Sequence, residues 1–319
     1  TGIVLVVLFL LLGTGVWVAL ALLGVAVVGM ELFTARPAGD AMITTIWRSS
    51  SSWTLTALPL FIWMGEILFR TRLSEDMFKG LAPWMVNWPG RLLHTNVVGC
   101  TVFAAVSGSS AATMTTVGKM SIPELRKRGY PVEMFIGTLA GAGTLGLMIP
   151  PSLILIVYGV TINESISKLF IAGVLPGLTV AALFMGYVAL WSTVNRDKIP
   201  AADSDRLPFG LKLRRSGGLL PILGLIVAVL GASYTGLATA TEAASFGVVG
   251  ALLLALLQGS LTRESFGASL MGAVRTSCMI AFILMGASFL TLSMGFTGLP
   301  RALAEWIAHL ELSPMMLIA

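Results

Sequence analysis

Between positions 2 and 30 the chain reads GIVLVVLFLLLGTGVWVALALLGVAVVGM, without one charged side chain. Such a run constrains the fold severely, because in hydrocarbon each backbone N–H and C=O must find a partner inside the protein, which leaves only helices and closed barrels. Similar runs, long enough for the ~20 residues that a helical crossing needs, recur at 45–69, 165–194, 217–234, 238–258 and 265–297. Barrel strands would show short stretches of alternating polarity instead. With 56% hydrophobic and 11% charged residues among 319, and a mean hydropathy of +0.91, the expectation is an all-α polytopic membrane protein. The first run, taken as a crossing over 3–32, is too long and too uncharged at its start for a cleaved signal peptide.

Two regions do not read as simple crossings. The stretch 92–126 contains FAAVSGSSAATMTTVGKM at 103–120, dense in Ser and Thr, and 131–162 carries a double proline at Pro150 and Pro151. Two missing backbone donors, with Ile149 pushed out of helical geometry, predict a broken helix there. A re-entrant hairpin over 92–126 with its tip at Ser107-Gly108-Ser109-Ser110 puts Arg70, Arg72, Lys79, Arg91, Arg126, Lys127 and Arg128 on one face. The later cluster Arg196, Lys198, Arg206, Lys212, Arg214 and Arg215 then joins them, leaving Arg36, Arg48, Lys168 and Arg301 opposite. The basic face, and the N-terminus with it, is expected to be cytoplasmic. Charge excludes a single crossing by 92–126 but not two; arms of about 16 residues argue against two.

LAPWM at 81–85 and LAEWI at 303–307, offset by 222 residues, fall on opposite faces of this count, as an inverted repeat requires. The same offset carries the partner of the hairpin tip past Ala319, so the protein is expected to continue beyond this chain, whose second hairpin half is absent.

Irregular backbone at membrane depth marks a buried or watery cavity. Carbonyls and hydroxyls at a hairpin tip suit a hard monovalent cation, and helix N-termini suit an anion. Ser107, Ser109, Ser110 and Thr113, faced by Gly143 and Thr144 on the broken helix, form the expected Na⁺ site. The competing reading is close helix packing by small residues, to which Gly137, Gly141 and Ala142 would contribute.

At these residues the chain resembles a family. SGSSAATMTTVGKMSIPELRKRGY, GTLGLMIPPSLILIVYG, SISKLFIAGVLPGL and YTGLATATEAASFGVV are similar, in that order, to the large membrane subunit of tripartite ATP-independent periplasmic (TRAP) transporters. The resemblance implies an inverted-repeat, elevator-type fold of the ion transporter superfamily and Na⁺-coupled uptake of an organic acid anion across the bacterial inner membrane. It also implies a small membrane subunit and a periplasmic substrate-binding protein as partners. On that pattern 1–90 would hold scaffold helices, 91–162 half of the transport domain, 163–215 a crossing helix and basic connector, and 216–319 the start of the second repeat. The anion is expected at Gly108, Ser110, Pro150, Pro151 and Ser152. Ala240 stands where the family often has Pro in its T-P-T-E-A motif.

Other residues admit two readings. Glu242 is either an intramembrane acid or half of a capping box with Thr239. Lys119 either meets a substrate carboxylate or snorkels to the interface. Arg275, inside a crossing, calls for a partner. His94 and His309 stand beside helix ends, as interfacial residues would, and the eight Trp fall near crossing ends as an aromatic belt would. Cys100 and Cys278 have no ligand-spaced partners, and no nucleophile-base pair, phosphate loop or nucleic-acid feature stands out, so no enzymatic role is expected. Rival readings are a stand-alone anion symporter, a passive channel and a siteless scaffold subunit.

Overall fold

The structure is a computed structural model, which describes residues 2–70, 80–200 and 208–309; these are helical almost throughout, and no strand occurs among them. Arg72, Lys79 and Arg206 of the expected basic face lie outside the described residues. Among the described residues, four helical stretches can cross a membrane by length and composition, Ile166–Val194, Phe209–Tyr234, Ala240–Leu257 and Arg263–Phe296, and the pair Ala38–Ser50 and Trp53–Phe69, bent by 57°, makes a fifth if it is one span. The four match the crossings expected at 165–194, 217–234, 238–258 and 265–297.

The two N-terminal crossings are not continuous helices. In place of 3–32 stand α1 (Gly2–Gly13) and α2 (Val18–Phe33), which pack on each other. Gly13-Thr14-Gly15 ends α1: Gly15 takes a left-handed φ of 79°, and Thr14 Oγ1 donates to the Leu11 carbonyl at 2.9 Å. The N-terminal orientation, which was inferred from one crossing here, loses that support. In place of 45–69 stand α3 (Ala38–Ser50), a 3₁₀ turn at Trp53–Thr56 and α4 (Ala57–Phe69). The run of serines at 49–52 interrupts the helix, Ser49 and Ser50 both donating back to the Ile46 carbonyl.

The chain forms two compact units, one of residues 1–52 with 278–319 and one of residues 53–277. In the first, Ala26, Met30, Ala38 and Phe289 make a small core, and the Ser293 hydroxyl donates to the Ala26 carbonyl at 2.9 Å.

The second unit is built on a helical hairpin. Its arms are α5 (Leu93–Ser107) and α6 (Ser110–Lys127), and both pack against α7 (Val132–Gly143), the first half of the broken helix. Leu93, Val97, Cys100 and Ala104 recur at helical spacing on α5 and meet Leu125, Phe135, Leu139 and Leu145 in the core. A 3₁₀ turn at Thr144–Leu147 follows α7; the chain then breaks through the cis Pro150–Pro151 bond and resumes as α8 (Leu153–Ile162). The long α9 (Ile166–Val194) packs on both halves. Beyond it come α10 (Phe209–Arg215), α11 (Leu220–Tyr234), α12 (Ala240–Leu257), α13 (Arg263–Phe296), whose residues fall in both units, and α14 (Leu299–His309). α4 lies along α12, where Gly247 leaves room for Met64. The LAPWM and LAEWI segments are both helical, within 80–85 and α14.

Several side chains depart from their expected places. His94 is fully buried rather than interfacial, with Nε2 2.6 Å from the Pro89 carbonyl and its ring edge-on to Trp88. Trp63 and Trp84 turn inward to donate to Ser269 and Ser216, whereas Trp17, Trp47 and Trp53 are exposed as a belt requires. Arg275 is exposed and has no ion-pair partner among the described residues. Glu242 caps α12: Thr239 Oγ1 accepts from the Glu242 N–H at 3.3 Å, and the carboxylate accepts from the Thr239 N–H at 2.8 Å.

One buried amide ties the hairpin to the broken helix. Asn96 Nδ2 donates to the Phe135 carbonyl and to Thr138 Oγ1, each at 3.1 Å. Asn96→Ala is expected to lower stability by about 1–2 kcal/mol, read as a lower thermal unfolding midpoint in detergent. An unchanged midpoint would mean that apolar packing alone joins these helices.

Candidate functional site at the hairpin tip

α5 ends and α6 begins within two residues. Gly108 takes the left-handed conformation, φ 58°, and Ser109 is extended, so the chain reverses at once. The tip lands on the proline break: the Leu153 N–H donates to the Gly108 carbonyl at 3.2 Å. A Cβ on Gly108 would lie 2.7 Å from the Pro151 carbonyl oxygen, so only glycine satisfies both the turn and the docking. Two helices start at this junction in the same way. Ser109 and Ser152 are extended N-caps, accepting from the N–H groups of Ala112 and Leu155, both at the long distance of 3.5 Å.

Oxygen atoms converge beneath the tip. Ser107 Oγ is 2.6 Å from Thr113 Oγ1 and 3.3 Å from the Ser109 carbonyl, and both Ser107 and Thr113 are buried. Gly146 lies against them, since a Cβ there would stand 2.7 Å from the Ser109 carbonyl oxygen and 2.8 Å from Thr113 Oγ1. The glycine that meets the tip is thus Gly146; Gly143 instead makes room for Met114. Thr144 is exposed and its hydroxyl donates to the Gly141 carbonyl at 2.6 Å, so it is not brought to the tip oxygens. Ser110 is half-buried and makes no hydrogen bond among the described residues. Pro150, Pro151 and Ser152 are buried at the break, Ser152 Oγ donating to the Leu147 carbonyl at 2.5 Å.

Beside the tip lies a cavity of about 280 Å³, lined by Ser107, Ser109, Ala111, Ala112 and Thr115 of the hairpin, Leu153 of α8, Thr276 of α13 and Ile62, Gly65, Glu66 and Phe69 of α4. α4 approaches through Gly65, where a Cβ would stand 3.0 Å from the Val106 carbonyl oxygen. Glu66 is the acid of this cavity, and Arg70, one turn on, holds it at 3.0 Å. Gly272 of α13 leaves the space that the Glu66 carboxylate fills. Glu66, Thr115 and Thr276 went unmarked in the sequence. An acid within the apolar run 45–69 was the available signal for the first; nothing local distinguishes the other two.

The arrangement defines a class: an integral membrane protein in which a helical hairpin docks its polar tip on a proline-broken helix, beside a small cavity. The chain belongs to the DctM component family of the tripartite ATP-independent periplasmic transporter, which matches residues 3–319. It is 32% identical over 276 residues to the C4-dicarboxylate TRAP transporter large permease protein DctM of Pseudomonas aeruginosa, covering 86% of this chain and 63% of that protein. The DctM protein of Rhodobacter capsulatus is 29% identical over 296 residues, 88% of this chain and 66% of that one. The 2,3-diketo-L-gulonate TRAP transporter large permease protein YiaN of Escherichia coli is 29% identical over 277 residues, 86% and 64%. The chain thus spans just under two thirds of the length of these relatives.

Gly108→Ala is expected to cost about 2–4 kcal/mol, from a left-handed Cβ together with a backbone clash. Ser110→Ala should stay within about 0.5 kcal/mol, as a surface change does. Thermal unfolding of the two variants side by side checks the contrast, and equal midpoints would mean that the tip is not docked as described.

Proposed function

We propose that this chain is the greater part of the large permease subunit of a secondary transporter that takes up a small organic acid anion across the bacterial inner membrane, driven by Na⁺. The observation that carries the reading is the convergence of Ser107 Oγ, Thr113 Oγ1 and the Ser109 carbonyl at a docked hairpin tip. Hydroxyl and carbonyl oxygens suit a monovalent hard cation that has to be released again. Of the Na⁺ ligands expected from sequence, Ser107, Ser109 and Thr113 keep that role, with Gly146 supporting them. The anion belongs in the adjoining cavity, where the N-termini of α6 and α8 present N–H groups around Gly108, Ser109 and Ser152.

The names of the relatives support a small organic acid anion as cargo: C4-dicarboxylates and 2,3-diketo-L-gulonate for two, and isethionate, a sulfonate, for the fused DctMQ permease of Oleidesulfovibrio alaskensis. Partners on this reading are a small membrane subunit and a periplasmic substrate-binding protein. The basic residues Arg91, Arg126, Lys127, Arg128, Arg196 and Lys198 face the cytoplasm. Transport proceeds by an elevator movement of the hairpin and broken helix.

The test is uptake by the full-length protein with its partners in proteoliposomes. Wild type should accumulate a small organic acid anion only under an inward Na⁺ gradient, and Thr113→Ala should weaken the Na⁺ dependence by about tenfold or abolish uptake, the loss of one good ligand interaction being worth ~1.4 kcal/mol. Downhill flux without Na⁺ would instead indicate a passive channel, and uptake without a binding protein a stand-alone symporter.

A further inference from the structure

The cavity beside the tip has hydroxyls and helix N-termini but, on its lining, only one formal charge, and that is negative. Glu66 by itself would repel a carboxylate. The charges gathered at its edge surround a single aromatic ring: Phe69, which lines the cavity, has the Arg70 guanidinium 5.9 Å and the Lys119 ammonium 5.5 Å from its centroid. The two cations differ in what they are already doing. Arg70 is held by Glu66, through Nη2 at 3.0 Å and Nε at 3.1 Å. Lys119 has no acidic partner among the described residues. It lies one turn beyond Thr115 on the same face of α6, and Thr115 lines both the cavity and the neighbouring groove of about 520 Å³ in which Lys119 sits.

We infer that Lys119 is the substrate-selecting cation of this transporter, receiving the oxyanion of the cargo at the mouth of the tip cavity while Glu66 keeps Arg70 occupied. Lys119 is exposed and its stem lies in an apolar groove, so the charge reaches water. Its ammonium also rests against the ring that walls the cavity, within the ~6 Å range of a cation–π contact. Phe69 holds the charge in place without neutralising it, so the full positive charge stays available to an anion. The Glu66–Arg70 pair, opposite on α4, contributes no net charge, and the field at the mouth is therefore set by Lys119. The cargo class that follows is a compact oxyanion, carboxylate or sulfonate, with its charged end at Lys119 and the remainder among Ser107, Ser109 and Thr276.

The inference rests on the transport reading above, and the experiment separates the two. Full-length protein with its partners is reconstituted, and initial uptake of succinate, isethionate and 2,3-diketo-L-gulonate is measured for wild type, Lys119→Gln and Lys119→Arg. For every probe that wild type accumulates, Lys119→Gln should raise KM by about tenfold or more, as loss of a charge-assisted hydrogen bond does, with the maximal rate within about twofold. Lys119→Arg should remain within about threefold of wild type, and the Na⁺ dependence should be the same in all three proteins. Lys119→Cys in a Cys278→Ser background should regain a low KM when a cationic thiosulfonate converts its thiol to a mixed disulfide, with sulfinate leaving, and not when a neutral one of similar size does so. A KM for Lys119→Gln within about twofold of wild type would overturn the inference. So would a defect present in vesicles containing phosphatidylglycerol and absent in pure phosphatidylcholine, which would assign Lys119 to a lipid headgroup. If wild type accumulates none of the probes under a Na⁺ gradient, the transport reading falls first and this inference with it.

Discussion

A single backbone hydrogen bond, from the Leu153 N–H to the Gly108 carbonyl, joins the two interruptions on which this protein's polar chemistry rests. Each interruption is costly alone. A helix end in an apolar setting leaves carbonyls or N–H groups without partners, and the proline break has two residues with no donor to give. Docked together they answer one another: the tip supplies an acceptor, and the start of α8 a donor. The same contact explains the distribution of glycine, with Gly108 in the left-handed turn and Gly146 under Ser109 where no Cβ fits. Even the cavity follows from it, since Leu153 is both the docking donor and part of the cavity wall.

Much of this was legible in the residues. The proline pair and the Ser-Gly-Ser-Ser run each mark a break by elementary backbone chemistry, and both breaks fall where expected. The late crossings were equally plain, because 238–258 and 265–297 have nothing inside them that ends a helix sharply, and the apolar run 165–194 stays helical through its one proline, Pro176. Gly13-Thr14-Gly15 and the serines at 49–52 do end helices, yet they sit in runs so apolar that hydropathy outweighed them. The signal for a turn was present and local, and the signal for a crossing was longer; over 45–69 the two coexist, since the bent pair Ala38–Ser50 and Trp53–Phe69 together has the length and composition of one span.

The site was half legible. Residues on the hairpin that bond one another over short sequence distances, such as Ser107 with Thr113, are found by reading the stretch itself. Residues that reach the tip from other helices are not. Gly146 and Gly143 have the same chemistry and stand three apart; only the pitch of the 3₁₀ turn after α7 decides which meets Ser109. Glu66, Thr115 and Thr276 share a cavity because α4, α6 and α13 converge there, and no spacing along one segment expresses that. Conversely, Glu242, the acid most conspicuous in the sequence, is engaged in capping its own helix.

On the transport reading proposed above, the Ser107–Thr113 hydroxyl contact has a consequence. A machine that carries cargo in one direction spends half of each cycle empty, and an empty polar tip would draw in water or leave its oxygens unsatisfied. Here the two hydroxyls close on each other at 2.6 Å. On that reading, arrival of an ion exchanges one internal partnership for another, and departure restores the first.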